Sequence, residues 1–453
     1  MKTHALFSST ALLVVTGCAS LAPPATDPVE PIGITLPEAY DHSPVVEAAR
    51  NGEPEWWASF NDPVMNDLID QALAENLTLE SGLANLRSAR AAITSSRSSL
   101  LPSLSAGASA STNSNNLVDN FSDSGRLSAS YEVDLFGANR QSVAVSELGL
   151  QAAELDQRAL ELTVQSSVAN AYLNLLSARY SLQIALENLE ISERINSIVE
   201  ARYNAGDVSG YDLATQRSSL ASARARIPQI EDQIEGFEAA LAILIGAPPQ
   251  GFSVPETSLL NISVPGVSAG LPSDLLHRRP DLLSAETSLQ AAQINVDIAQ
   301  KAFLPTFDLG SGVSTALTSG LDPVATLSAS MSLPLFTGGQ LEGQLESAEA
   351  RADQALTSYR QAILAALQDV DVGLSGLKSA NLQEPDLREA ETASERALEI
   401  AELRYRVGAD DLTSLLNAQT TYRSAVQSVV ENKRDQLISV VNIYAAIGGG
   451  WAG

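Results

Sequence analysis

A mainly helical chain that contributes four strands to an oligomeric, membrane-embedded β-barrel is the fold class this sequence predicts. Three observations carry it. Four runs of about 11 residues, the length of a tilted membrane-spanning strand, alternate between apolar and small polar side chains. Long proline-free stretches repeat apolar residues every seven positions, the spacing of coiled-coil packing. The second half of the chain repeats the landmarks of the first.

Composition narrows the function before any motif does. The chain has 453 residues, 45% of them hydrophobic but only 5% aromatic. Ala, Ser, Leu and Gln are abundant, which suits long helices packed through small side chains. Acids outnumber bases 54 to 27, a formal charge of −27, so a phosphate backbone is repelled and nucleic acid is not an expected partner. One cysteine and three histidines (His4, His42 and His277, scattered) exclude a disulfide framework and supply no metal cluster. No clustered acid, base or nucleophile suggests an enzyme, and no cofactor or metal site is expected.

Taken in order, the first element is a leader. Lys2 precedes an apolar run from about Ala5 to Val15, too short to span a bilayer as a helix and suited to a secretory signal. Val15-Thr16-Gly17-Cys18 resembles a bacterial lipobox, which implies cleavage before Cys18 and its acylation. Ala19 stands where aspartate would imply inner-membrane retention, so outer-membrane sorting is expected. Trp56 and Trp57 are expected to be packing anchors for a helix beginning near Pro63.

The strands come next. In the first, Leu104, Ala106, Ala108 and Ala110 alternate with Ser103, Ser105, Gly107 and Ser109. In the second, Leu127, Ala129, Tyr131, Val133 and Leu135 alternate with Ser128, Ser130, Glu132 and Asp134. Repeat-related runs follow: Phe307, Leu309, Val313 and Leu317 share one face, and Leu327, Ala329, Met331, Leu333 and Leu335 another. A period of two gives each strand one apolar and one polar face. The repeat offset is 203 between Leu101 and Leu304 and 202 between the Arg202-Tyr203-x-x-Gly206 and Arg404-Tyr405-x-x-Gly408 segments.

The helical segments follow each strand pair. Leu148, Leu155 and Leu162 recur every seven residues, as do Val168, Leu175, Leu182 and Leu189. Leu356, Ile363, Val370 and Leu377 do so in the second copy. A helix from about Asn139 to Tyr203 would run roughly 95 Å. Pro228 is expected to bend its helix. Pro272 and Pro280, with Ser273, Asp274 and Asp281, fit helix starts. Gly206 and Gly408 supply the positive φ that tight helix–helix turns need.

Four strands cannot close a barrel, and open edges are not tolerated in lipid. Two chains would give eight strands with a filled interior; three would give twelve and an aqueous lumen. On that reading the apolar faces meet lipid, while Ser128, Ser130, Glu132 and Asp134 line water. A soluble coiled-coil rod explains the helices but not the strands; a soluble β-sandwich is the other reading of the strands.

These features resemble the outer membrane factor family, the TolC/OprM-like efflux channels, and most closely its lipid-anchored NodT-type branch. The likeness rests on "PEWWASFNDPVMNDLIDQAL" from Pro54, "LPSDLLHRRPDLLSAE" from Leu271, the terminal "GGGW" at Gly448–Trp451, the lipobox and both RYxxG turns. It implies a homotrimer with a twelve-stranded outer-membrane barrel continuing into a periplasmic α-helical barrel. Such a duct is passive, and serves a periplasmic adaptor protein and an inner-membrane transporter of the RND type. It implies a lipid-anchored location in the outer membrane and small-molecule efflux as the function. The outer-membrane duct of a type I protein secretion system is the alternative.

The resulting domain organisation is a signal peptide (1–17), an N-terminal anchor and extended segment (18–62) and a first repeat (63–245, strands at about 102–112 and 126–136). A linker in the equatorial region (246–270), a second repeat (271–447, strands at about 305–317 and 324–335) and a tail (448–453) complete it. The RYxxG turns, with Arg202, Tyr203, Gly206, Arg404, Tyr405 and Gly408, are the expected adaptor-docking tips. Asp207, Asp212, Asp410, Asp411 and Asn417 are candidates for a periplasmic gate, the aspartates being otherwise solvated turn residues. Where the resemblance implies a constricting aspartate, this chain has Asn417; and His277 precedes Arg278 and Arg279 where three arginines are common. Those arginines are expected to form salt bridges at an interhelix corner.

Overall fold

The computed structural model describes residues 33–40, 55–112, 121–267, 270–316 and 323–449. Chain contacts divide it into Met1–Leu36 and Pro37–Gly453, and every helix and strand named below belongs to the second unit. Cys18 and its lipobox, His4, His42 and Trp451 lie outside the described residues. Among the described residues no helix is long and apolar enough to cross a membrane.

Two short helices open the unit, α1 (Pro63–Glu75) and α2 (Leu77–Arg97). Asp62 caps α1 through the amides of Val64 and Met65, with Pro63 in the first turn where no donor is needed. Asn76 caps α2 the same way, and its amide also donates to the Leu244 carbonyl at 2.7 Å. Trp56 and Trp57 are buried as expected: Trp56 stacks on Tyr444 and donates to Gln165.

The four strands are β1 (Ser103–Thr112), β2 (Phe121–Glu132), β3 (Thr306–Thr315) and β4 (Val324–Ser332), antiparallel in the order β1-β2-β3-β4. Their register sorts side chains into rows. Ser103, Ser130, Gly310 and Ser328 form one row, and Ser105, Ser128, Gly312 and Thr326 another. The alternate rows are apolar or small: Ala106, Leu127, Val313 and Ala325, and Leu104, Ala129, Ser311 and Leu327. Leu104 and Leu327 are 71% and 87% exposed, so within one chain this apolar face is uncovered.

Two strands end earlier than the alternation predicts. β2 stops at Glu132 rather than near 136, and β4 at Ser332 rather than near 335. After β2 the Val133 amide still donates to the Phe307 carbonyl, but Leu135 then donates back to Val133 and the chain turns. After β4, Pro334 has no amide hydrogen with which to continue a ladder. Val133, Leu135, Leu333 and Leu335 therefore continue the pattern without belonging to the strands.

Each strand pair leads into a helical hairpin. α3 (Ala138–Ala205) has 68 residues, about 100 Å at 1.5 Å per residue, and is followed by α4 (Gly210–Leu244). α5 (Leu275–Arg278) and α6 (Pro280–Lys301) precede β3, and α7 (Gln340–Arg406) and α8 (Leu412–Ala446) follow β4. Leu155, Val168, Leu175, Ile363, Val370 and Leu377 of the heptad series are buried; α3 packs on α2, α4, α6 and α8, and α7 on α6 and α8. Pro228 does not end α4, which runs on through it; Pro385 lies inside α7 likewise. The segment after α4 is pinned to α3: Arg179 pairs with Glu238 at 2.7 Å and donates to the carbonyls of Val254 and Pro255. Arg279 forms the expected corner, bonded to Asp281 at 2.7 Å, to Asp369 at 3.1 Å and to the Ala446 carbonyl.

Candidate functional site at the hairpin tips and the sheet face

The two RYxxG segments end α3 and α7 by one mechanism. Gly206 and Gly408 have φ of +85° and +74°, which lets the chain reverse without a Cβ clash. Gly206 donates to the Tyr203 carbonyl and Asp207 to that of Arg202; Gly408 donates to Tyr405 and Ala409 to Arg404. This satisfies carbonyls that a helix end would otherwise leave bare. The next helices start with mirrored caps. Ser209 caps α4 with Asp212 three residues on, whereas Asp411 caps α8 with Ser414 three residues on.

The structure brings most of the sequence-derived tip residues together. A cavity of about 680 Å³ is lined by Arg202, Gly206, Asp207, Asp212, Tyr405, Gly408, Asp410 and Asp411. Arg202 spans it: its guanidinium donates to the Tyr405 carbonyl at 2.9 Å and lies 4.9 Å from the centre of the Tyr405 ring. Tyr405 is buried, while its repeat counterpart Tyr203 is 44% exposed. Asn417 is exposed on α8, away from this cavity, and its carbonyl accepts from Thr421.

Three of the four aspartates have local work. Asp410 pairs with Arg404 at 2.8 Å. Asp212 accepts from the Ser209 amide and hydroxyl. The Ser414 amide bonded to Asp411 holds that carboxyl below its ordinary value. Asp207 is exposed at the turn.

Just behind the tips lies a polar knot that no sequence signal marked. Ser192 and Gln216 are fully buried and Gln419 nearly so. The Gln216 amide donates to the Ser192 carbonyl at 3.0 Å, and the Gln419 amide donates to the Ser192 hydroxyl at 2.8 Å and to Asn188 at 3.0 Å. One residue of α3 thereby holds both α4 and α8. Around it pack Ile195, Val199, Leu213, Leu398 and Leu415. A lone glutamine in a helical repeat looks like a solvated position until its partners are known.

On the sheet, Ser128 and Ser130 pair their hydroxyls with Ser105 and Ser103 at 2.9 and 2.7 Å, and Glu132 stands opposite Asp308 on the same face. Asp134 is a correction: it lies beyond β2 and does not continue that face. Its carboxylate accepts from the amides of Asn139 and Arg140 and pairs with the Arg140 guanidinium at 3.1 Å, closing the first turn of α3. Partial burial pushes this carboxyl up, but the two amides and Arg140 outweigh it and hold it below its ordinary value. A depressed carboxyl contributes fully above its unfolded pKa, near 4, and loses that contribution as pH falls through the folded value. Asp134→Asn removes the charge and should therefore lower stability at pH 7 by about 0.3–1 kcal/mol, the worth of a carboxylate at a helix N-terminus, read as a lower thermal midpoint. The difference from wild type should vanish in acid. An equal gap at both pH values would show that the charge plays no part.

Comparison with known proteins places these features. Residues 68–247, and again 271–449, match the family described as outer membrane efflux protein. The pyoverdine export outer membrane protein OpmQ of Pseudomonas aeruginosa is 32% identical over 474 residues, covering 100% of this chain and 97% of its own. The solved outer-membrane channel OprN superposes with a TM-score of 0.82 at 28% identity, over 94% of this chain and 99% of its own. The open state of the Neisseria gonorrhoeae MtrE outer membrane channel gives 0.80 at 28% identity, over 93% and 96%.

Proposed function

We propose that this chain, which belongs to the outer membrane efflux protein family, is the passive duct of a tripartite pump, receiving small molecules from a periplasmic adaptor and an RND-type inner-membrane transporter. As an outer-membrane efflux component it needs a closed, water-filled path. The observation that carries the reading is the sheet: its central rows gather serine, threonine and glycine on one face and, Ser311 apart, apolar side chains on the other, and β1 and β4 are both left as edges. Edges in lipid must pair, and pairing β4 of one copy with β1 of the next closes twelve strands from three chains. Ser128, Ser130 and Glu132 then face the lumen. The helical hairpins continue the wall into the periplasm, with the RYxxG turns presented to the adaptor. Acylation of Cys18 fastens the assembly to the membrane. No reaction, cofactor or resident metal is assigned.

Native mass measurement of the protein extracted from outer membranes tests this. A trimer carrying acyl mass is expected, and Cys18→Ser should remove the acyl mass. A monomer as the sole membrane species would overturn the duct.

A further inference from the structure

The two hairpin tips are written in the same residues but use them differently. Residues 191–206 and 393–408 agree at eight of sixteen positions, among them Arg194/Arg396, Ile198/Ile400, Glu200/Glu402 and Tyr203/Tyr405. Inside one chain the first hairpin supplies the arginines and the second their acceptors. Arg194 binds Glu402 at 2.9 Å, and Arg202 reaches Tyr405. Their counterparts lack the equivalent contact. The Arg396 side chain is 72% exposed and that of Glu200 42%, against 46% for Arg194 and 15% for Glu402.

One apolar pair shows the same asymmetry. Ile198 packs against the core shared with the second hairpin, but Ile400 is 45% exposed. Leu403 on the same side of α7 and Val407 just past its end are 60% and 71% exposed, where the first hairpin has only the small, likewise exposed Ala201 and Ala205. The first hairpin thus meets the second through Arg194, Ile198 and Arg202, while the matching Arg396, Ile400 and Arg404 of the second meet no other hairpin among the described residues of their own chain.

A contact in which one patch meets a different patch is heterologous: it leaves one of each free, and repeats until a ring closes. We infer that the free patches meet between copies, with Arg396 of one chain pairing with Glu200 of the next beside Ile400, Leu403 and Val407, and Arg404 lying over Tyr203 there. The present partners are local: Arg396 pairs with Glu399 on its own helix at 2.6 Å, Glu200 with Arg217 at 3.2 Å, and Arg404 with Asp410 across its own turn at 2.8 Å. Exposed pairs of this kind are worth little, so exchanging them for a seam contact costs little. The seam repeats the contact within the chain, so six hairpins join through one kind of interface.

This inference rests on the trimeric duct proposed above, and the test separates the two. Arg396→Cys with Glu200→Cys, and Arg194→Cys with Glu402→Cys, are made in the full chain, assembled in the outer membrane, treated with a short bis-maleimide and resolved under denaturing conditions. Single-cysteine variants set the background from Cys18. The first pair should give covalent dimers and trimers, and the second should link only within the chain and remain at monomer mobility. A first pair linked only within chains, in a protein that is trimeric by native mass, overturns the seam; a wild type that is not trimeric overturns the duct itself. Charge reversal gives an independent readout. Glu200→Arg should lower the temperature at which the trimer dissociates, and adding Arg396→Glu should restore it. No restoration also overturns the pairing.

Discussion

Leu127→Arg should nearly abolish the outer-membrane trimer, while Ser128→Arg, one residue along, should assemble close to wild type. The two side chains are neighbours in sequence and opposites in environment. Leu127 lies mid-strand in β2, in a row with Ala106, Val313 and Ala325, the face assigned to lipid. Ser128 lies in the row of Ser105, Gly312 and Thr326, the face assigned to water. An arginine facing lipid near the bilayer midplane costs about 2–4 kcal/mol per copy. Three copies pay it together, whereas an arginine in an aqueous lumen keeps its hydration. Yield of the heat-dissociable trimer in membranes checks the pair, with Leu327→Arg expected to match Leu127→Arg and Ser330→Arg to match Ser128→Arg. Equal yields across all four would mean that the alternation does not separate lipid from lumen.

The faces of the strands were legible because side-chain direction in a strand is local: period two follows from the backbone alone. Their ends were not, because what stops a ladder is elsewhere. Leu135 keeps the rhythm of β2, yet Asp134 beside it is committed to the first turn of α3. The helices were legible for the same local reason, and a helix proposed from Asn139 to Tyr203 is Ala138–Ala205. The turns could be placed from Gly206 and Gly408, since positive φ singles out glycine. What each turn residue touches could not be placed. Asp212 and Asp411 serve as caps, and only the folded chain puts Arg202 against Tyr405, or Gln216 and Gln419 on a single serine. Contacts across some two hundred residues depend on how hairpins dock, and a repeat offset shows that two hairpins are alike without showing which of their faces meet.

Arg202→Ala should raise the single-channel conductance of the purified trimer several-fold. Arg202 ties the first turn to the second through the Tyr405 carbonyl and ring, beyond the Arg194–Glu402 pair farther along the hairpins, and its removal loosens the two turns around their cavity. The solved open state of MtrE, which this chain resembles in fold, shows that a relative's channel can be held open. Selectivity is a separate matter and needs a separate variant. Asp410 and Asp411, brought together in threes by a trimer, would gather cations at the entrance, as carboxylate rings do in cation-preferring pores. Asp411 also caps α8, so alanine there would fray the helix and confuse the result; asparagine keeps a capping oxygen and removes the charge. Asp410→Asn with Asp411→Asn should therefore shift the reversal potential toward zero selectivity while leaving the fold intact. The shift should shrink in 1 M salt, where the Debye length is about 3 Å, compared with 0.1 M, where it is about 10 Å. Arg202→Ala should open the pore at either salt, because it breaks a contact rather than a field. If the arginine variant conducts like wild type and the double asparagine variant keeps the wild-type reversal potential, the constriction lies away from these turns, and the buried knot of Ser192, Gln216 and Gln419 becomes the next place to cut.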